Sequence, residues 1–437
     1  MKKILIIIIS SLLFIGFIAV GVILLNKVYY NSEEVVYTIT SSSESAQTLS
    51  NKYQDTDYGD SKDIEGDTIT SGGSYTIVGS HENIIIDAEG NVELILNNAN
   101  ISNNDGPAIY VKNAKTVSIV LIGTNTITSN TTEELDGAIY SKSDLIIRGS
   151  GSLKITSNID GIVSKDSLII NSGTYIINSE DDAIRGKDFV AIVDGVFTID
   201  AGGDAIKSTN DEDSTLGYIA IDSGTFNIIC VNDGIDSTTE VNIKGGSFNI
   251  TTTSKEDDSS KGIKGDTKVI IKNAKITIDS TDDGIHSNGD ILTSGGNIII
   301  DSGDDAVHAD GMLNITGGSI DVTAHEGLEA TYVKIDGGTI TINATDDGIN
   351  AGNKSSDYKV KIEITGGDIS INMGSGDTDA VDSNGDLVLT GGTINITARS
   401  PFDYDGTLTF TNTKVIVNKE ETKTITNQMM RNGRNRW

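Results

Sequence analysis

The sequence predicts an all-β chain wound as a right-handed parallel β-helix, and three observations predict it. The first is a short phrase, an acidic residue, then Gly or Ala, then Ile, Val or Leu. It returns as Asp160-Gly161-Ile162, Asp182-Ala183-Ile184, Asp204-Ala205-Ile206, Asp233-Gly234-Ile235, Asp283-Gly284-Ile285, Asp305-Ala306-Val307, Glu326-Gly327-Leu328, Asp347-Gly348-Ile349 and Asp379-Ala380-Val381. With Pro107, Gly137, Lys261 and Ser400 filling the same frame, eight of twelve intervals are 21 to 23 residues. A fixed period of this size marks a solenoid of stacked units. The second observation is strict alternation inside each unit, as in Ser319-Ile320-Asp321-Val322-Thr323-Ala324, which reads as a strand with one buried face. The third is punctuation by Gly-Gly, at Gly245-Gly246, Gly295-Gly296, Gly317-Gly318, Gly337-Gly338, Gly366-Gly367 and Gly391-Gly392, where a corner needs positive φ.

Three short strands in about 22 residues describe one coil of a β-helix, and the array from 64 to 418 holds roughly 13 of them. A propeller needs four strands in about 40 residues per blade, which does not fit. The longer intervals carry polar insertions, such as Asn210-Asp211-Glu212-Asp213-Ser214, which belong in loops outside the stack. No segment after residue 63 has a sustained helical period.

The termini read differently. Ile4 to Leu25 is uncharged and apolar or small, and Lys2-Lys3 precede it. At 1.5 Å per residue it spans about 33 Å, enough to cross a bilayer with the N-terminus inside. Residues 1–25 are therefore expected to be a transmembrane anchor or an export signal, the uncleaved anchor being preferred because no small-residue cleavage site follows. Both place the array outside the cell. Residues 26–63 read as a flexible polar spacer, and 419–437, with Arg431, Arg434 and Arg436, as a disordered basic tail. The lone Cys230 is expected to pack as a small apolar residue. The net charge of −31 argues against nucleic acid as a partner, and a monomer is expected.

Stacking raises an electrostatic question. Carboxylates on adjacent coils lie about 5 Å apart and repel by about 3 kcal/mol at an effective dielectric of 20. They can protonate, be satisfied by backbone N–H groups, or hold Ca²⁺, which takes six to eight oxygens. The doubly acidic rungs, Asp282 and Asp283, Asp304 and Asp305, Glu326, Asp346 and Asp347, are the candidate Ca²⁺ ligands. Three residues into each phrase, period two turns a polar residue outward. Along consecutive rungs this row reads His286, His308, Glu329, Asn350 and Asp382, a candidate carbohydrate-binding groove.

The ordered series of phrases resembles the secreted bacterial carbohydrate-binding β-helix family, whose fold is pectate-lyase-like and whose members bind cellulose and polygalacturonate. The phrases include Ala108-Ile109-Tyr110-Val111-Lys112, Leu121-Ile122-Gly123-Thr124-Asn125-Thr126-Ile127-Thr128, Asp282-Asp283-Gly284-Ile285-His286-Ser287-Asn288, Gly303-Asp304-Asp305-Ala306-Val307-His308-Ala309-Asp310 and Asp403-Tyr404-Asp405-Gly406. The resemblance spans about 64–418 and implies Ca²⁺ sites and polysaccharide binding, of acidic or plant cell-wall glycan, without established catalysis. Two other classes compete. A lyase or glycosidase needs a carboxylate pair at defined separation or a base beside a metal, and Arg185, Lys207 and Arg399 are the possible bases. A structural surface adhesin fits the anchor and spacer equally well.

Overall fold

The computed structural model describes residues 37–64, 66–254, 260–375 and 378–427. The anchor or signal at 1–25 lies outside the described residues. Of one compact unit, Met1–Thr40, only 37–40 are described, and they carry no regular secondary structure. The other unit, Ser41–Trp437, holds the array.

One repeat shows how the chain is wound. Ile184–Gly186 is the phrase strand, Phe189–Ile192 a middle strand and Val196–Ala201 an outer strand. Each pairs parallel with its counterpart in the next repeat: Ile184 with Ile206, Phe189 with Tyr218, Val196 with Thr225. The same three-fold pairing links repeat to repeat along the array, and the strands join one large, mostly parallel sheet that does not close on itself. This is the pairing of a β-solenoid, as expected. In Asp305–Ile315 and Glu326–Ile335 the phrase and middle strands run together.

Period two builds the core. The outer strands alternate exposed and buried along their length, as in Val196–Ala201, and their inward Ile, Val and Phe stack into one column. Inside it Tyr175, Phe197, Phe226 and Phe248 form a stack with centroids 4.8, 4.7 and 4.5 Å apart and planes within 7° of parallel. In a solenoid one side chain is repeated at the rung spacing, so identical rings lie face on face.

The two kinds of glycine have different causes. The second residue of each Gly-Gly has positive φ, +93° at Gly318 and +99° at Gly338, as corners require. The phrase glycines do not; they make room. A Cβ on Gly284 would stand 2.4 Å from the Ile300 side chain and 2.7 Å from the Ala306 carbonyl.

Two terminal expectations are corrected. The described part of the spacer read at 26–63 is not a loose tether. Helix α1 (Ala46–Asn51) is capped by Ser45 Oγ, which accepts from the Thr48 N–H. It buries Ala46 and Leu49 on Ile146, Ile169, Phe189, Ala191, Tyr218 and Ala220. These last six belong to middle strands buried on both faces, such as Phe189–Ile192 and Tyr218–Ile221. Upstream, Glu240 is 1% exposed and accepts hydrogen bonds from the Ser42 N–H and from the hydroxyls of Ser41, Ser42 and Ser43. At the other end, Glu420–Thr422, assigned to the disordered tail, turns back and pairs antiparallel with Val415–Val417. The rest of the tail, from 428, lies outside the described residues. Cys230 is fully buried and donates to the Asn232 carbonyl, 3.4 Å away.

Candidate functional site

The phrase carboxylates face along the stack. In six of them one oxygen accepts the backbone N–H of the next rung. Asp160 Oδ1 accepts from Asp182 at 3.0 Å, Asp182 from Asp204 at 2.9 Å, Asp204 from Asp233 at 2.8 Å and Asp233 from Lys261 at 2.6 Å. Asp283 accepts from Asp305 at 3.1 Å and Asp347 from Asp379 at 3.2 Å. The second oxygen faces the outward row, and its partner changes along the array.

In the first stretch the partner is a permanent cation. Arg185 bridges Asp160, at 2.5 Å, and Asp136, and Lys207 pairs with Asp204 and lies 3.6 Å from Asp182. Burial alone would lower the Arg185 pKa, but Asp160 and Asp136 outweigh it and raise it. Burial still pushes Asp160 and Asp233 up to about 7, aided by neighbouring carboxylates. Arg185 and Lys207, two of the three possible bases, are thus committed to the ladder.

In the second stretch the partner is histidine. The Asp283 carboxylate lies 2.7 Å from His286 Nδ1, and Asp305 lies 2.6 Å from His308 Nδ1, which is also 3.0 Å from Glu329. The imidazoles stack with centroids 4.8 Å apart. Burial would raise Asp283, but His286 outweighs it and holds it low. Burial would lower His308, but its bonds to Asp305 and Glu329 outweigh that and raise it. Asp305 is nonetheless raised, because burial and the charges of Asp283 and Glu329 exceed what His308 returns. The proton thus belongs to His308 and the balancing charge to Glu329, which Lys354 Nζ also holds at 2.8 Å.

The third stretch has no such partner. Asn350 donates to Glu326 at 3.0 Å and Glu329 at 3.1 Å. Beyond it, among the described residues, no ion pair reaches Asp347, Asp382 or Asp403. Burial and surrounding carboxylates push Asp347 and Asp382 up to about 7 and raise Asp403. Asn350 Oδ1 and Asp403 Oδ1 are buried without a hydrogen-bond partner.

The expected groove residues are therefore one line in register: His286 beside His308, then Glu329, Asn350, Asp382 and finally Asp403. The expected metal ligands separate. Asp282, Asp283 and Asp304 converge within 4.8 Å, as do Asp305, His308 and Glu329. But Lys261 Nζ lies 2.6 Å from Asp282 and the histidines engage Asp283 and Asp305, so these acids already have side-chain partners. Glu326, Asp347, Asp382 and Asp403 have no ion pair among the described residues, but they are spread over successive rungs and are not among the groups of side chains that converge within 4.8 Å. Asp346 precedes this group on the same corner and is half-buried. Sequence reasoning missed Lys261 and Lys354 as counter-ions. Lys261 had a signal, since it stands where the phrase otherwise has an acid. Lys354 comes from an insertion and had none.

The chain belongs to the family of carbohydrate-binding domain-containing proteins, whose model matches residues 65–306 and 304–431. Among solved structures it is similar to a polysaccharide lyase-like protein from C. thermocellum, determined as a gadolinium derivative. The identity is 25%, the alignment covers 57% of this chain and 86% of that one, and the TM-score is 0.39. No curated protein matches the chain.

Proposed function

We propose that this is a non-catalytic polysaccharide-binding protein of the cell surface, exported and held by the segment at 4–25, acting as a monomer through a right-handed β-helix of roughly 13 coils. Its ligand is an acidic or plant cell-wall glycan, bound along the outward row from His286 to Asp382. The family membership supports the carbohydrate. The observation that carries the mode of binding is the loss of counter-charge after Lys354, where Asp347, Asp382 and Asp403 stand raised and unpaired. Ca²⁺ bridging neighbouring carboxylates of this stretch, such as Asp347 and Asp382, would supply positive charge there and let uronate carboxylates approach an otherwise acidic face. His286, His308 and Glu329 keep their hydrogen bonds within the row and present a fixed polar edge to sugar hydroxyls.

The test is binding of the full chain to a glycan panel that includes polygalacturonate, with Ca²⁺ and with chelator. Ca²⁺-dependent binding lost in Asp382→Asn is expected. Absence of all glycan binding by a folded chain would favour the adhesin, and appearance of unsaturated uronate ends or new reducing ends would overturn the non-catalytic reading.

A further inference from the structure

Away from the acidic row, the docked N-terminal segment closes a cleft of about 400 Å³ against the outer face of the middle strands. Tyr53 and Tyr58 form one wall, and Arg148 and Asn171 the other, over a floor that includes Ile146. Four features make this more than a seam. Tyr53 is held by its hydroxyl, which donates to Asp144 at 2.9 Å. Tyr58 is half-buried, and burial raises its pKa. Arg148 is fixed by Nε to Ser118 Oγ at 3.1 Å and by one terminal nitrogen to Glu93. Its other terminal nitrogen makes no hydrogen bond among the described residues. Finally, Asn171 Oδ1 is buried without a partner. A buried orphan acceptor costs about 1–3 kcal/mol, a cost that a ligand hydroxyl would remove.

We propose that this cleft is a separate carbohydrate subsite that takes one or two neutral sugar residues. Its size lies within the range of small-ligand sites. Tyrosine rings offer apolar faces to sugar C–H groups while keeping polar tips. The free Arg148 nitrogen donates and Asn171 both donates and accepts, which matches hydroxyls rather than a carboxylate. Glu93 already balances the Arg148 charge, so an acidic sugar gains little there. The subsite deepens the polysaccharide-binding reading but uses a different face, so the two can fail separately.

The test titrates the full chain with glucose, galactose, mannose, xylose and their β-1,4-linked trimers, following tyrosine fluorescence and calorimetry. At least one should bind, and Asn171→Ala and Gln54→Ala, the latter an exposed residue lining the same cleft, should each weaken it, the former by about tenfold or more. Asp382→Asn should leave it unchanged. Melting temperature confirms that each variant is folded. If no neutral sugar binds, or if Asn171→Ala and Gln54→Ala bind as the parent does, the subsite is refuted. Polygalacturonate binding would then survive if the acidic-row reading is right.

Discussion

Asp233→Asn isolates the cost of keeping a carboxylate in the ladder. Asp233 is 7% exposed, and burial, then Asp204, raises it from 3.8 to about 7. The folded value lies above the unfolded one. Stability from the protonated form is therefore complete below about pH 4 and is lost as pH rises through about 7. At about 1.4 kcal/mol per pH unit the penalty is bounded at about 4 kcal/mol at pH 8. Asparagine keeps the oxygen that accepts from the Lys261 N–H at 2.6 Å and sheds the charge. Its new NH₂ needs a partner, at about 2 kcal/mol if none is found. The variant should be about 2 kcal/mol more stable than the parent at pH 8 and about 2 kcal/mol less stable at pH 4, read by urea and thermal melts in chelator. A variant less stable than the parent at pH 8 would refute the reasoning, since the charge itself would then be holding the rung.

Phe226→Ala should cost about 3–5 kcal/mol, because it opens the middle of an aromatic stack with rings 4.7 and 4.5 Å away on either side; a denaturant titration measures it. His308→Asn should destabilise by about 3 kcal/mol at pH 7. Its raised pKa makes that loss fullest below pH 6.5 and smaller as pH climbs through about 10, so melts at two pH values check the sign. Glu240→Gln should loosen the Ser41–Ser43 strap by about 2 kcal/mol, seen as faster proteolysis before Tyr53. Burial would raise Glu240, but the serine hydrogen bonds outweigh it and lower it. The parent's strap is therefore secure above pH 4.5 and loosens as pH falls below it. In chelator, melting temperature should fall as pH rises from about 4 to about 8, as Asp347 and Asp382 ionise. Added Ca²⁺ should flatten that slope in the parent but not in Asp347→Asn/Asp382→Asn.

Much of this was legible in the sequence because a solenoid turns periodicity directly into space. The interval from Asp283 to Asp305 is also their register, and the alternation that puts Ile285 inside puts His286 outside. What escaped were contacts that ignore the period. Helix α1 is six residues long, too short for a helical period, and its signal lay in its dock. Ile169, Ala191 and Ala220 are apolar at positions where a solvent-facing strand would be polar. The fate of the carboxylates depended on residues outside the phrase, with Arg185, His308 and Lys354 each engaging a different rung. The phrase repeats while its counter-ions do not, so acidity along the sequence did not by itself mark which rungs lack an ion pair.

Where a phrase carboxylate accepts the N–H of the following rung, the hydrogen bonds give the stack a direction. Asp160 is completed by Asp182, Asp182 by Asp204, and Asp204 by Asp233. As such a chain emerges and winds, a last finished coil that carries one of these acids presents an anion awaiting the next stretch of polypeptide. An open strand edge invites pairing with any other chain, and an inward-pointing charge deters it. The growing end of this protein therefore carries its own repellent, which moves forward one coil at a time and is quenched only by its own continuation.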